Sequence, residues 1–319
     1  MKSLGLVAAL VVLLAPVAAA QPSANIGTNP PGSILYVVGN ALAKVAAEAG
    51  TAKLTVQPYS GTSTFLPMLE SGELELGVNN AVDVGLAFNG PSYKIGGRNP
   101  FPHTPGLRLV MRSAPLMVAP VVRRDSPIKT IHDVKGKRLT GEYPANLAIW
   151  YNVFGELSSA GLGFKDVRVI PVAGLNEGID ALIQGRADVS TYGLNGAKVR
   201  EADAAVGVRH LSIDCSPDGE KRLRAAVPGY YPRRVKKEEA AAVVDDSICV
   251  VAGLLKAIWE NGSKLGPFHP LLREWSRDRM MGADVTIPYH PAAVRFYREH
   301  GAWNAETDQT QQRLLKAGR

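Results

Sequence analysis

The stretch Asn25 to Asn80, NIGTNPPGSILYVVGNALAKVAAEAGTAKLTVQPYSGTSTFLPMLESGELELGVNN, decides the fold. Short β-favouring runs alternate in it with longer segments of helical period, which reads as strand, turn, helix, strand, turn, helix, strand. Leu35, Val38, Leu42, Val45 and Ala49 recur at three- and four-residue spacing and so share one helix face. Ser33 is the natural N-cap of that helix. The next helix starts among Thr62, Ser63 and Thr64, a placement that puts Pro67 in its first turn, and Gly72 supplies a left-handed stop.

The pattern returns once. A shift of 113 positions places Gly61 on Gly174, Leu69 on Leu182, Gly72 on Gly185, Glu75 on Asp188 and Leu76 on Val189. Val56 and Pro58 meet Val169 and Pro171, and Ser33 meets Asn146, a second capping residue. These are positions that a strand–turn–helix unit constrains, so the chain holds two copies of one α/β unit. At 319 residues it exceeds a typical single core, and two lobes are expected.

The first twenty residues read as a cleaved signal peptide. Lys2 precedes an apolar run from Leu4 to Val17, and Ala18-Ala19-Ala20 offers a peptidase site before Gln21. No later stretch is long and apolar enough to span a bilayer, so the mature protein is expected to be periplasmic and not membrane-spanning. The net charge of +7 carries no long block of like charge, and nucleic-acid binding is not expected. Cys215 and Cys249 face an oxidising compartment after export, and spacing alone leaves both the free and the bridged state open.

Beyond the first unit, Asn89 to Pro105 reads as a surface connection, and Leu107 to Met111 and Leu116 to Val122 as strands. The second unit runs through a strand at Lys137 to Thr140, a helix at Asn146 to Ala160, a strand at Val167 to Ile170, a helix at Leu175 to Gln184 and a strand at Ala187 to Thr191. A helix from Asn195 to Ala204 and a strand from Val208 to Ile213 follow. Cys215 to Lys237 is basic and turn-rich and reads as a solvated face. Ile248 to Val251 is a strand, Leu254 to Asn261 and Pro270 to Met280 are helices, and a last helix begins at Pro291 with Ala292, Val294, Phe296 and Tyr297 inward.

The fold class is therefore α/β and bilobal. Residues 21–117 with 250–319 form one lobe and 123–240 the other, joined by crossings near 118–123 and 241–250. No histidine pair has metal-ligand spacing, and no phosphate loop or nucleophile elbow is present, so neither metal, cofactor nor catalytic residue is assigned. What the pattern does offer is polar turns at helix N-termini, where free N–H groups hold anions. The candidate ligand residues are Asn29, Ser33, Tyr36, Ser60, Gly61, Thr62, Ser63, Asn79 and Asn80 from one lobe, facing Tyr143, Asn146 and Tyr192 from the other. Simple helix capping is the competing reading for Ser33, Ser63 and Asn146.

With GSILYVVGNALAK (32–44), VQPYSGTSTFLPMLESGELELGV (56–78), SPIKTIHDVKGKRL (126–139) and IPYHPAAVRFYREHGAW (287–303), the chain resembles the TAXI-family solute receptors of TRAP transporters. The resemblance implies a type II, Venus-flytrap periplasmic-binding fold. It also implies a small organic anion such as a dicarboxylate or an amino acid as ligand, and TRAP membrane permease subunits as partners of a monomeric receptor. The chain departs from that family in two turns, Asn29-Pro30-Pro31 and Glu142-Tyr143-Pro144-Ala145. Proline removes N–H donors, and Glu142 repels an anion if it faces the cleft. An exported enzyme on the same fold and a sensory protein docking to a membrane partner are the alternatives.

Overall fold

The computed structural model describes residues 21–112, 116–194, 196–237, 247–253 and 276–318. The expected leader, positions 241–246 of the second crossing, the helix Leu254 to Asn261 and the 270–275 part of the next helix lie outside the described residues.

The first unit comprises β1 (Ser23–Thr28), α1 (Ile34–Glu48), β2 (Lys53–Pro58), α2 (Thr62–Ser71), β3 (Leu76–Gly77) and α3 (Ala81–Asn89). Its parallel strands take the order β2-β1-β3. β4 (Leu116–Arg123) leads to β5 (Arg138–Glu142), α4 (Leu147–Ser159), β6 (Arg168–Val172), α5 (Leu175–Ile183), β7 (Val189–Gly193), α6 (Ala197–Val206) and β8 (Val208–His210). There α7 (Pro217–Ala226), β9 (Tyr231–Val235) and β10 (Ile248–Gly253) complete a sheet of order β6-β5-β7-β4-β10-β9, with β8 beside β4. This is the bilobal α/β arrangement that the repeat implies.

The repeat extends to the hydrogen bonds. Ile26 pairs with Val56 and Leu76, and Leu139 pairs with Val169 and Val189, so both copies keep one register at the 113-residue shift. The Asn25 amide donates to Glu75 Oε2 at 2.8 Å, and the shifted pair repeats it, the Arg138 amide donating to Asp188 Oδ2 at 2.9 Å. An acidic residue just ahead of the third strand thus ties it to the first strand in each copy.

Local signals explain most elements. The Tyr36 amide donates to Ser33 Oγ at 3.2 Å, and Leu35, Val38, Leu42 and Val45 are buried as their spacing predicts. Ala49 is instead the exposed C-cap residue, because the helix ends there. Gly72 closes α2 with φ +80. Pro67 lies inside α2, beyond its first turn, since the helix already begins at Thr62. Its ring costs one backbone bond.

Other expectations need correction. Leu107 to Met111 is not a strand; Leu109 makes only an isolated bridge to Tyr289. The basic segment after Cys215 holds a helix and a strand, announced by the Ser216 cap with Pro217 at the first helical turn. β9 lies at the edge of the larger sheet, paired with β10. In α8 (Pro291–Glu299) Ala293 and Tyr297 are buried while Ala292 is exposed. The helices α3 and α9 (Ala305–Ala317) have Asn80 and Asn304 as caps, each accepting from the backbone three residues on. Cys215 and Cys249 form a disulfide, which ties β10 to the chain beyond β8.

Candidate functional site

Ligands of open α/β sheets sit beyond the carboxyl ends of the strands. In both units these ends meet along one seam; β4 and β10, which run antiparallel with Val118 opposite Val251, belong to the larger sheet. The seam is shut. Ser63 Oγ donates to the Ala145 carbonyl at 2.9 Å, Asn176 Nδ2 to the Pro31 carbonyl at 3.4 Å, and the Ala197 amide to the Gly32 carbonyl at 3.0 Å. The Pro31 carbonyl of the Asn29-Pro30-Pro31 turn and the Gly32 carbonyl after it therefore both accept from the second unit.

At the centre of the seam the N-termini of α2 and α4 face each other. A Cβ built on Gly61 falls 2.6 Å from Asn146 Cα and closer still to the Ala145 carbonyl. Asn146 stands at the N-cap of α4 but makes no capping bond; it is fully buried, and neither its oxygen nor its nitrogen has a partner. Buried amides are normally paired, so these atoms mark a place where something polar belongs. The side-chain oxygens of Asn29 and Asn79, at the ends of the first and third strands, are buried and unpartnered as well.

The remaining sequence candidates separate into groups. Ser33 and Asn80 cap α1 and α3. Tyr36 is half-buried in the first turn of α1, and Ser60 is exposed, its hydroxyl 3.2 Å from Thr64 Oγ1. Tyr192 donates to Asn176 Oδ1 at 2.9 Å, next to the bond from Asn176 to Pro31, which places it at the seam. Tyr143 turns the other way: it is fully buried within the second unit, its hydroxyl bonded to Thr140. Glu142 is exposed, and both Glu142 and Tyr143 have positive φ, 68° and 50°. Two successive non-glycine residues there store strain, which the buried Tyr143 ring holds in place.

Sequence reasoning missed a buried polar group beside these turns. Thr62 Oγ1 donates to Asp83 in α3. Across the seam, Tyr230 donates to Asn152 Oδ1 at 2.6 Å, and one turn along α4 Glu156 accepts from Thr191 Oγ1 at 2.6 Å. Burial pushes Asp83 up to about 7 and Glu156 up to about 8. The only signal in the sequence was Asp83 and Glu156 standing among apolar helix neighbours.

Glu156 makes stability depend on pH. Its folded value lies above the ordinary 4.5, so its contribution is complete below about pH 4.5 and is lost as pH rises toward 8. Glu156→Gln still accepts from Thr191 but carries no proton to lose. Its unfolding free energy relative to wild type is expected to climb between pH 5 and 8, by at most about 1.4 kcal/mol per pH unit. A difference that stays flat across that range, measured by calorimetry, would show the carboxyl to be solvated.

A further hollow of about 680 Å³ is lined by α1, by Asn79 and Asn80 at the end of β3, by Gly106 to Arg112 and by Asp284 to Ile287 and His290. Among the described residues none between 116 and 253 lines it.

Two α/β units of one repeated design define the class, a two-lobed α/β protein. The chain belongs to the NMT1-like family, whose model matches residues 26–301. Among solved structures it is similar to the periplasmic aliphatic sulphonate-binding protein SsuA from Escherichia coli, at 16% identity over 93% of this chain and 91% of that one, with a TM-score of 0.43. It is also similar to the substrate-binding protein of an amino acid ABC transporter (15%, 92% and 99%, TM-score 0.39) and to an L-cystine ABC transporter protein from Listeria monocytogenes (12%, 92% and 96%, TM-score 0.40).

Proposed function

We propose that the protein is a periplasmic solute-binding receptor that closes its two lobes around a small organic anion and delivers it to the permease subunits of a TAXI-type TRAP transporter. The observation that carries this reading is Asn146, buried without a partner between the N-termini of α2 and α4. Two helix N-termini and a free amide suit a carboxylate, which needs donors and partial positive charge and no proton transfer. The receptor acts by binding and not by chemistry. We read the hinge in the paired strands β4 and β10, with residues 21–117 and 250–319 in one lobe and 123–240 in the other.

Mass spectrometry of metabolites released from the purified protein tests the reading. A single unmodified carboxylate is expected, retained by wild type and lost from Asn146→Ala, whose affinity should fall about tenfold. A metabolite converted on incubation would replace the receptor by an enzyme. Neighbouring genes for an ABC transporter would keep the receptor and change its membrane partner.

A further inference from the structure

The connection that follows α3 is fastened to the first unit and reaches the second. Asn99 Nδ2 donates to the Leu86, Gly90 and Tyr93 carbonyls at 2.9, 2.7 and 3.0 Å, and the Thr104 amide donates to the Ala87 carbonyl at 2.9 Å, so the connection moves with α3. Its tip is a tight turn. Ile95 and Arg98 exchange backbone hydrogen bonds of 3.1 and 3.2 Å, and Gly96 and Gly97 between them have φ +59 and +77, the left-handed pair that such a turn requires. The tip lies on α4 of the second unit: the Arg98 guanidinium carbon stands 4.5 Å from the Trp150 ring centroid, and Tyr151 donates its hydroxyl to the Arg98 carbonyl at 3.2 Å. A Cβ on Gly96 would stand 2.9 Å from Phe154 Cε1 and 3.0 Å from Trp150 Cη2, so the backbone of the turn itself rests on these rings.

The rings under the turn belong to the second unit. Trp150 stacks with Phe154 and with Phe164, centroids 5.2 and 5.0 Å away, so it is a platform that the second unit holds by itself. Arg98 comes to it from the first unit. Trp150 also stands one helical turn beyond the unpartnered Asn146 at the α4 N-cap, so a grip on Trp150 holds the helix end that faces Gly61. We propose that the Ile95–Arg98 turn is a latch, which grips α4 only when the two units are together and whose hold sets how long a solute stays between them. This rests on the receptor reading above. When the units part, the turn leaves with α3 while Trp150 stays with Phe154 and Phe164, and the cation–ring contact and the Tyr151 hydrogen bond are lost together. These contacts form after the units have met and must break before they separate, so the latch acts on release and not on capture.

The test uses the mature full-length protein and the metabolite that co-purifies with it, whose loss is followed by mass spectrometry after rapid exchange into solute-free buffer. Arg98→Ala and Tyr151→Phe are each expected to shorten retention about threefold, and the two together about tenfold, while the melting temperature of the protein stripped of solute stays that of wild type. Arg98→Lys keeps a cation over the ring without the flat stacking of a guanidinium, and should fall between Arg98→Ala and wild type. Unchanged retention in the double variant overturns the latch and leaves the receptor standing. A shortened retention that is matched by a lower melting temperature of the stripped protein does the same, because the turn is then ordinary packing. If nothing co-purifies, the receptor reading loses its support and small-angle scattering judges the latch: the double variant is expected to be more extended than wild type, and equal radii of gyration overturn it.

Discussion

Gly61→Ala is expected to abolish ligand retention while leaving the melting temperature of the unliganded protein unchanged. Gly61 has φ 179, which is extended backbone that any residue adopts, so its dihedrals do not call for glycine. What calls for it is the approach of the other unit: a methyl group there would stand 2.6 Å from Asn146 Cα and Cβ and run into the Ala145 carbonyl. Those neighbours are backbone and Cβ atoms, which cannot rotate away as the end of a flexible side chain can. A lobe that is swung open has no such neighbour, and the methyl then points into water. The substitution acts on closure alone, and closure is where a receptor gains the contacts that only the bound state has. An affinity loss of at least about 100-fold follows, which corresponds to about 2.7 kcal/mol. Small-angle scattering gives the second readout, with wild type compacting on ligand addition and Gly61→Ala staying extended. Wild-type affinity together with normal compaction in the variant would place the closing contact elsewhere.

How much of this was legible depends on the range of the interactions involved. Strand register, caps and stops are set within a few residues, and the repeat doubled the signal; Ser33, Gly72 and the pairing of Glu75 with Asp188 could be read directly. Pro67 and Ala49 were misread because a helix boundary shifted by a turn changes a residue's role without changing the pattern. Asn146 was legible as a helix start and not as an unpartnered amide, since losing its capping bond depends on the other unit pressing against it. Asp83 and Glu156 lay further from reach. Their partners, Thr62 and Thr191, come from 21 and 35 positions away, and nothing in local spacing tells a buried carboxyl from a solvated one. Polar turns at helix N-termini are local and stand in the sequence pattern, whereas the acid groups on α3 and α4 emerge only from the packing of helices across the seam.

Reduction of the Cys215–Cys249 disulfide should lower stability by about 3–4 kcal/mol, the chain-entropy expectation for a loop of 34 residues. The bridge closes a segment that holds α7 and β9, and it fastens that segment to β10, which pairs with β4. Its neighbourhood is already paired: the Ile213 amide donates to the Cys249 carbonyl at 2.9 Å, and the Cys249 amide donates to Ser212 Oγ at 3.0 Å. Cys249 itself is buried in the cluster with Val118, Tyr151, Leu223 and Tyr230. Most native contacts therefore survive without the covalent bond, and the loss falls on the unfolded chain, which gains the freedom of the opened loop. For a protein of this length the drop is roughly 5–10 °C in melting temperature. Cys215→Ser with Cys249→Ser should melt like reduced wild type, and adding a reductant to that double variant should change nothing further. Equal melting of the oxidised and reduced wild-type protein would mean that the unfolded chain is held compact in this region by other interactions. Because β10 also lines, through Val251, a small cavity shared with Asn80 and Asn152 of the two units, the reduced protein should bind its solute more weakly as well, in proportion to the freedom that β10 regains. Calorimetric titration of the two redox forms side by side measures both effects on one sample.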